Sequence, residues 1–391
     1  MADGDESPGP QRGLHRGRVA KAALAVQAWL TAAVAATAQH TASTPERVVG
    51  LARAFAIAVL AGLAFQLAQL PLPWLLGPLT ISLLFAVRDR PLDQPNTFVH
   101  PMRSLIGVAV GSSFTPALVE KAGGAAVSLA LMLPFTAAIT ALGALFLHRV
   151  ARFDRQTAFF GACPGGLADM VLFARDSGAD LRRVTLVQAA RVLTIVFALP
   201  FWLQFVDGKP LGGAMPAGLH IWELTLGDAL VIALLAWGGW TIADRLGVTG
   251  SSIVGPMIIS GLAHGFGLTA AKVPIEFLIM AQVTIGIVIG AQFRGISLSE
   301  FVSVLIWGLA LAVMLLVAAG AMALGVARLT GLDATSLLLS YAPGGQNEMA
   351  IIALILGVDV AIVAMHHLLR VLFVVLTAQV IFQRNKDWRQ S

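Results

Sequence analysis

The sequence predicts an all-α integral membrane protein. It has two inverted repeats of about five transmembrane helices, each with a Pro-Gly-Gly element that is broken or re-entrant. Three observations predict this. Of 391 residues, 57% are hydrophobic and only 12% charged, about half the charged share of a soluble domain. Motifs of the first half recur in the second at a fixed spacing. Arginine is unevenly shared among the segments between apolar runs.

A surface so poor in charge excludes a cytosolic enzyme, a disordered regulator and a nucleic-acid-binding domain. The single cysteine, Cys163, excludes a disulfide framework, an iron–sulfur site and a cysteine-based zinc site. Roughly 20 apolar residues are needed to cross a bilayer core of about 30 Å. Segments 48–70, 72–87, 104–118, 125–147, 184–206, 228–243, 251–268, 276–292, 301–327 and 360–382 fit as spans, several of them short. Segments 156–173 and 335–356 are apolar but interrupted. Short or broken segments are tolerated at membrane depth only where protein or a cavity covers them.

The organisation is then an N-terminal extension over 1–47, a first membrane repeat over 48–206, and a linker over 207–227. A second repeat follows over 228–383, with a cytoplasmic tail over 384–391. Ala22–Ala38 is only weakly hydrophobic. It is compatible with a signal peptide, a weak span or a surface helix, and the charges discussed below favour a non-spanning extension.

The repeat is the strongest signal. Leu76-Gly77-Pro78 recurs as Val254-Gly255-Pro256, and Gly107 and Gly111 recur as Gly286 and Gly290. Pro164-Gly165-Gly166 with Asp169 recurs as Pro343-Gly344-Gly345 with Glu348. Asp154, Asp180 and Arg191 recur as Asp333, Asp359 and Arg370. All but the first pair share an offset of 179 residues, and the first differs by a single residue.

Orientation follows from charge. If 156–173 and 335–356 are re-entrant, each half crosses five times and the halves are inverted. One side then holds 15 Lys and Arg of the loops and tail, the other only Lys121, Lys209, Lys272 and Arg328. The rich side is the cytoplasm. The +5 net charge thus orients the protein and faces anionic lipid; it is not a nucleic-acid patch. A spanning Ala22–Ala38 would leave Arg12, Arg16, Arg18 and Lys21 outside, against this rule.

Chemistry is expected at the Pro-Gly-Gly elements. Proline removes a donor and glycine admits unusual dihedrals, so a helix must break there. The break frees carbonyls, and the following helix presents N-terminal amides to an anion or a carboxylate. Half-helix ends of this kind form midplane sites in transporters with inverted repeats. The expected solute or ion site therefore comprises Pro164, Gly165, Gly166 and Asp169 with Pro343, Gly344, Gly345, Gln346, Asn347 and Glu348. Asp169 and Glu348 stand in the first turn after each break, where a carboxylate either couples a cation or proton or only caps its own helix. Gln346 and Asn347 make the second break the more polar.

Arg191 and Arg370 lie inside apolar runs, where an unpaired charge costs several kcal/mol. Repetition favours binding or salt-bridging, with Asp169 and Glu348 as partners, over snorkelling. Packing is expected for Cys163, and gap-filling or a solute hydrogen bond for Tyr341. Adjacent His366 and His367 point about 100° apart on a helix and do not share a metal readily. They are read as packing or hydrogen-bonding groups, with a proton relay as the alternative. Gly77-Pro78 and Gly255-Pro256 form a third repeated break, packed closely or lining the path.

These repeated Gly-Pro and Pro-Gly-Gly motifs resemble the AbrB family of bacterial membrane proteins over roughly residues 50–385. The resemblance implies a multi-pass protein of the bacterial inner membrane. The family carries two labels, ammonia monooxygenase and regulator of gene expression, and the second is shared with a small soluble DNA-binding protein that this chain does not resemble. The family is also similar to antiporters and anion transporters with inverted five-helix repeats, an analogy of fold.

The preferred reading is an ion-coupled secondary transporter whose partners are a small solute, a coupling ion and the bilayer. The alternative is a membrane-bound AbrB family protein acting indirectly on gene expression, without direct nucleic-acid contact. A monooxygenase would need clustered His or carboxylate ligands for copper or iron. The eight scattered histidines offer none, so no enzyme activity, metal or cofactor is expected. Homo-oligomerisation is left open.

Overall fold

The computed structural model describes residues 45–384 except 115–121, 166, 210, 212–217 and 249. Among the described residues the regular elements are fourteen α-helices and one short 3-10 turn, Ile221–Glu223. The first seven helices are α1 (Pro45–Leu67), α2 (Pro73–Val87), α3 (Asn96–Gly111), α4 (Ala122–Arg149), α5 (Arg155–Ala162), α6 (Leu167–Asp176) and α7 (Leu181–Phe205). The next seven are α8 (Leu226–Arg245), α9 (Ser251–Gly265), α10 (Ile275–Ala291), α11 (Leu298–Thr330), α12 (Ala334–Tyr341), α13 (Gln346–Leu356) and α14 (Val360–Arg384). The weakly hydrophobic Ala22–Ala38 and most of the expected extension lie outside the described residues.

Six helices (α1, α4, α7, α8, α11 and α14) are long and apolar enough to cross a membrane. On α11 the exposed Val302, Ile306, Leu309, Val313 and Val317 recur at helical spacing and form an apolar stripe suited to lipid. The chain is a multi-pass membrane protein.

The two sets of seven helices correspond in order. Helices α5 and α7 begin at Arg155 and Leu181, and α12 and α14 at Ala334 and Val360, the spacing seen in the sequence. Buried contacts between the sets are reciprocal. Helix α2 packs on α10, and α3 packs on α9. Ser82 Oγ donates to Ile287 O at 2.7 Å, and its counterpart Ser260 Oγ donates to Val108 O at 2.9 Å. Both hydroxyls are buried, and each satisfies its hydrogen with a carbonyl of the other half.

Two expectations need correction. Gly77-Pro78 and Gly255-Pro256 are not breaks, because α2 runs through Pro78 and α9 through Pro256. Each proline is the sixth residue of its helix and removes only one interior hydrogen bond. The glycine before it supplies the close packing: a Cβ on Gly77 would meet Ala61 O at 2.6 Å. The expected span 104–118 is also displaced. Helix α3 covers Asn96–Gly111 and so includes Arg103, whose charge had placed it in a loop.

Candidate functional site

Each Pro-Gly-Gly element separates two short helices. Helix α5 ends at Ala162 and α6 starts at Leu167; α12 ends at Tyr341 and α13 starts at Gln346. Eight and ten residues in the first pair give helices of about 12 and 15 Å, each too short to cross alone.

Capping side chains fasten the ends of each pair together. Asp154 starts α5 by accepting Thr157 N at 2.8 Å. Thr157 Oγ1 then accepts Asp180 N, at the start of α7, at 2.9 Å. In the second half Asp333 accepts Ser336 N, and Ser336 Oγ accepts Asp359 N at 3.1 Å. The start of α5 therefore lies beside the point where α6 has finished and α7 begins. Asp180 and Asp359 cap α7 and α14, accepting Arg183 N and Ile362 N. The repeated Asp154, Asp180, Asp333 and Asp359 are helix caps.

Further along, α7 runs beside α5. Gln188 Nε2 donates to Phe160 O at 2.6 Å. Arg191 Nη1 donates to Ala162 O and Cys163 O, both at 3.1 Å. The second half repeats this pattern. His367 Nε2 meets Leu339 O at 3.0 Å, and Arg370 donates to Ala342 O at 2.7 Å and Gly344 O at 3.0 Å. Arg370 also meets His367 Nδ1 at 2.7 Å. Since Nε2 faces a carbonyl it carries the ring proton, and Nδ1 accepts from the guanidinium.

This changes the reading of the arginines. Both are buried at 2% exposure, so neither snorkels. Their partners are the carbonyls released where α5 and α12 end, which is C-terminal capping by a cation. The expected pairing of Arg370 with Glu348 is not among the ion pairs of the described residues; α13 carries Glu348 against α3, the helix of Arg103. The side chain of Asp169 lies outside the described residues, although its backbone occupies the first turn of α6.

Glu348 is 5% exposed in the first turn of α13 and lies against Gly345. Beside it, Gln346 Nε2 and Asn347 Oδ1 are buried without a protein partner. The tip of each pair touches the other half. A Cβ on Gly165 would meet Val374 of α14, and one on Gly344 would meet Ile195 of α7, the equivalent position. The breaks, both arginines and the polar first turn of α13 thus converge on one region.

Cys163 is buried among Phe160, Met170, Ala174 and Val374, a packing role. Tyr341 is buried and held by Ser128, so it points into α4 rather than at an exposed path. Arg103, Ser128 and Gln188 escaped the sequence reading. Gln188 was findable, since the 179-residue offset pairs it with His367.

The chain is 26% identical to protein YhjN of Bacillus subtilis (strain 168), whose name assigns no function, covering 82% of this chain and 89% of that one. It is 27% identical to a protein of Escherichia coli (strain K12) named as a candidate regulator, AbrB, covering 83% and 93%. No solved structure matches the chain. The family model described as "Transition state regulatory protein AbrB" matches residues 74–385; the chain belongs to the AbrB family.

Proposed function

We infer that the chain is an ion-coupled secondary transporter of a small solute in the bacterial inner membrane, built from inverted repeats with α5–α6 and α12–α13 as re-entrant hairpins. The observation that carries this reading is the convergence of both broken elements, each capped by a buried arginine, on the unpartnered Gln346 and Asn347 beside Glu348. Arg191 is the eleventh residue of α7 and Arg370 the eleventh of α14. At about 1.5 Å per residue each lies about 15 Å into its helix, close to the middle of a ~30 Å core. With five crossings and one hairpin per half, the hairpins enter from opposite sides and their tips meet there.

In this reading Glu348 binds the coupling cation or proton, and Gln346, Asn347 and the α6 and α13 amides receive the solute. Arg191 and Arg370 hold the tips. The regulator name of the Escherichia coli relative supports a second reading, in which solute flux acts on gene expression indirectly. A monooxygenase activity and a resident metal are not part of either proposal.

Two measurements test the proposal. Proteoliposomes loaded with a pH-sensitive dye, under an imposed proton gradient, should show flux on addition of a solute from a panel of small carboxylates and amines. Glu348→Gln should abolish most of that flux, because an ionisable group inside the membrane that carries the coupling charge has no substitute in a neutral amide. No solute-dependent flux in the wild type sinks the transport reading; unchanged flux in Glu348→Gln sinks the coupling role alone.

The hairpins are tested by labelling on a Cys163→Ala background. Arg152→Cys and Arg175→Cys flank α5–α6 and should react from the same side, with Arg328→Cys reacting from the other. Labelling of residues 152 and 175 from opposite faces overturns the re-entrant arrangement.

A further inference from the structure

We propose that His366, Ser128 and Tyr341 form a proton-binding site with one vacant hydrogen position, filled when His366 takes up a proton. As the carrier of a coupling proton, this site rests on the transporter reading; as a proton site, it stands independently.

The hydrogens can be counted. His366 Nδ1 lies 2.8 Å from Ile362 O and must donate, because a carbonyl only accepts. In the neutral ring Nε2 is then an acceptor, 2.7 Å from Ser128 Oγ. That contact uses the serine hydrogen. Tyr341 donates its own hydrogen to Ser128 O at 2.7 Å. The fourth contact, Ser128 Oγ to Tyr341 Oη at 3.2 Å, is left with no hydrogen, and it is the longest of the four. A proton from water on Nε2 resolves this. The imidazolium donates to Ser128 Oγ, the serine hydrogen rotates to Tyr341 Oη, and all four contacts are filled. One proton is gained and no covalent bond among the heavy atoms changes.

The fold does not require polar groups here. At the twin place, formed by α5 and α7 with α11 of the other half, His366 is replaced by Val187, Tyr341 by Ala162 and Ser128 by Trp307. Val187 and Ala162 are buried there in an apolar cluster. Ser128, Tyr341 and His366 are all fully buried, and burying Tyr341 and His366 where the twin has Ala162 and Val187 costs several kcal/mol unless they are satisfied. His367 is the internal control. Its twin Gln188 is polar and binds the equivalent carbonyl, so His367 belongs to the scaffold.

The titratable and charged groups around His366 are few. Its own helix supplies His367 and Arg370, α12 supplies Tyr341, and α4 supplies Ser128. Glu348 stands on α13 and Arg103 on α3, and these two helices pack together. Helix α11 adds the apolar Leu311, Leu315 and Ala319. Arg370 stands four residues after His366 on α14, so loading of His366 places a second positive charge about one turn from the guanidinium that holds the second hairpin tip.

Tyr341 is the chain's only tyrosine and so reports on this site alone. Infrared difference spectra of full-length protein, carrying ring-labelled tyrosine in lipid nanodiscs, should show the phenol C–O band shifting in a one-proton step between about pH 4 and about pH 8. His366→Val, which installs the residue of the twin site, should abolish the step while the protein remains folded by circular dichroism. His367→Gln should retain it. A band that does not move with pH in the wild type, or that still moves in His366→Val, overturns the proposal. Should His366→Val fail to fold, His366→Gln serves instead, since an amide takes up no proton in this range; a step persisting there also overturns it. A titrating band without solute flux in proteoliposomes leaves the proton site standing and removes only its coupling role.

Discussion

Arg370→Ala is expected to destabilise the protein by about 3–6 kcal/mol, and Arg191→Ala by about half as much. Arg370 donates to Ala342 O, Gly344 O and His367 Nδ1, whereas Arg191 donates to Ala162 O and Cys163 O from one nitrogen. A buried polar group stripped of its partner costs about 1–3 kcal/mol. Three such groups on α12 and α14 outweigh two on α5. The opposing effect is relief from burying a guanidinium, which is itself expensive. The loss prevails because the carbonyls at a helix break have no alternative donor: Ala342, Gly344 and His367 are all buried. Arg370→Lys should recover part of the loss, since an ammonium is a point donor and does not span two carbonyls as the planar fork does. Midpoints of SDS-induced unfolding in mixed micelles measure the series. Arg370→Ala unfolding at the wild-type midpoint would remove the capping role.

The arginines also show where the sequence was legible. Their positions were readable, because charges inside apolar runs stand out and both recur 179 residues apart. Their partners were not. A backbone carbonyl has no side-chain signature, so the acids Asp169 and Glu348 were the visible choice. The acid that is described, Glu348, lies on α13, which packs on the helix of Arg103, a residue set aside as part of a loop. The interruptions at Pro164 and Pro343 were readable because Gly-Gly follows each proline. Pro78 and Pro256, each preceded by a glycine, were read as a further break but sit inside continuous helices. The glycine before each instead packs against a helical partner, Gly77 on α1 and Gly255 on α8, and such partners are not written locally. The Ser128–His366–Tyr341 cluster escaped because Ser128 lies 213 residues from Tyr341 and 238 from His366, and nothing in the sequence relates them.

Gly290→Ala should cost about 3 kcal/mol or more, and Gly290→Leu should prevent stable packing of the two halves. Gly286 and Gly290 form a small-xxx-small face on α10, the pattern that lets membrane helices approach at backbone distance. A Cβ on Gly290 would lie 2.5 Å from Leu79 O and 2.7 Å from Leu83 N; one on Gly286 would lie 2.6 Å from Leu75 O. These are backbone atoms of α2, so no rotamer change gives way and the whole helix must retreat. Ordinary overpacking costs about 1–3 kcal/mol, and contact with rigid backbone places these sites at or above the upper end. Retreat would also lengthen the Ser82–Ile287 hydrogen bond in the same seam. Gly107 and Gly111 meet Ile253 O and Met257 O of α9 at 2.5 and 2.6 Å, so alanine there should cost a similar amount. Gly320→Ala and Gly325→Ala in α11 are the controls. Neither position has an atom within 4 Å of an added Cβ, and alanine there should be neutral or stabilising by up to about 1 kcal/mol through helix propensity. The same SDS titration reads all of these variants. Equal midpoints for Gly290→Ala and Gly320→Ala would show that the halves are not held by backbone approach along α2 and α10.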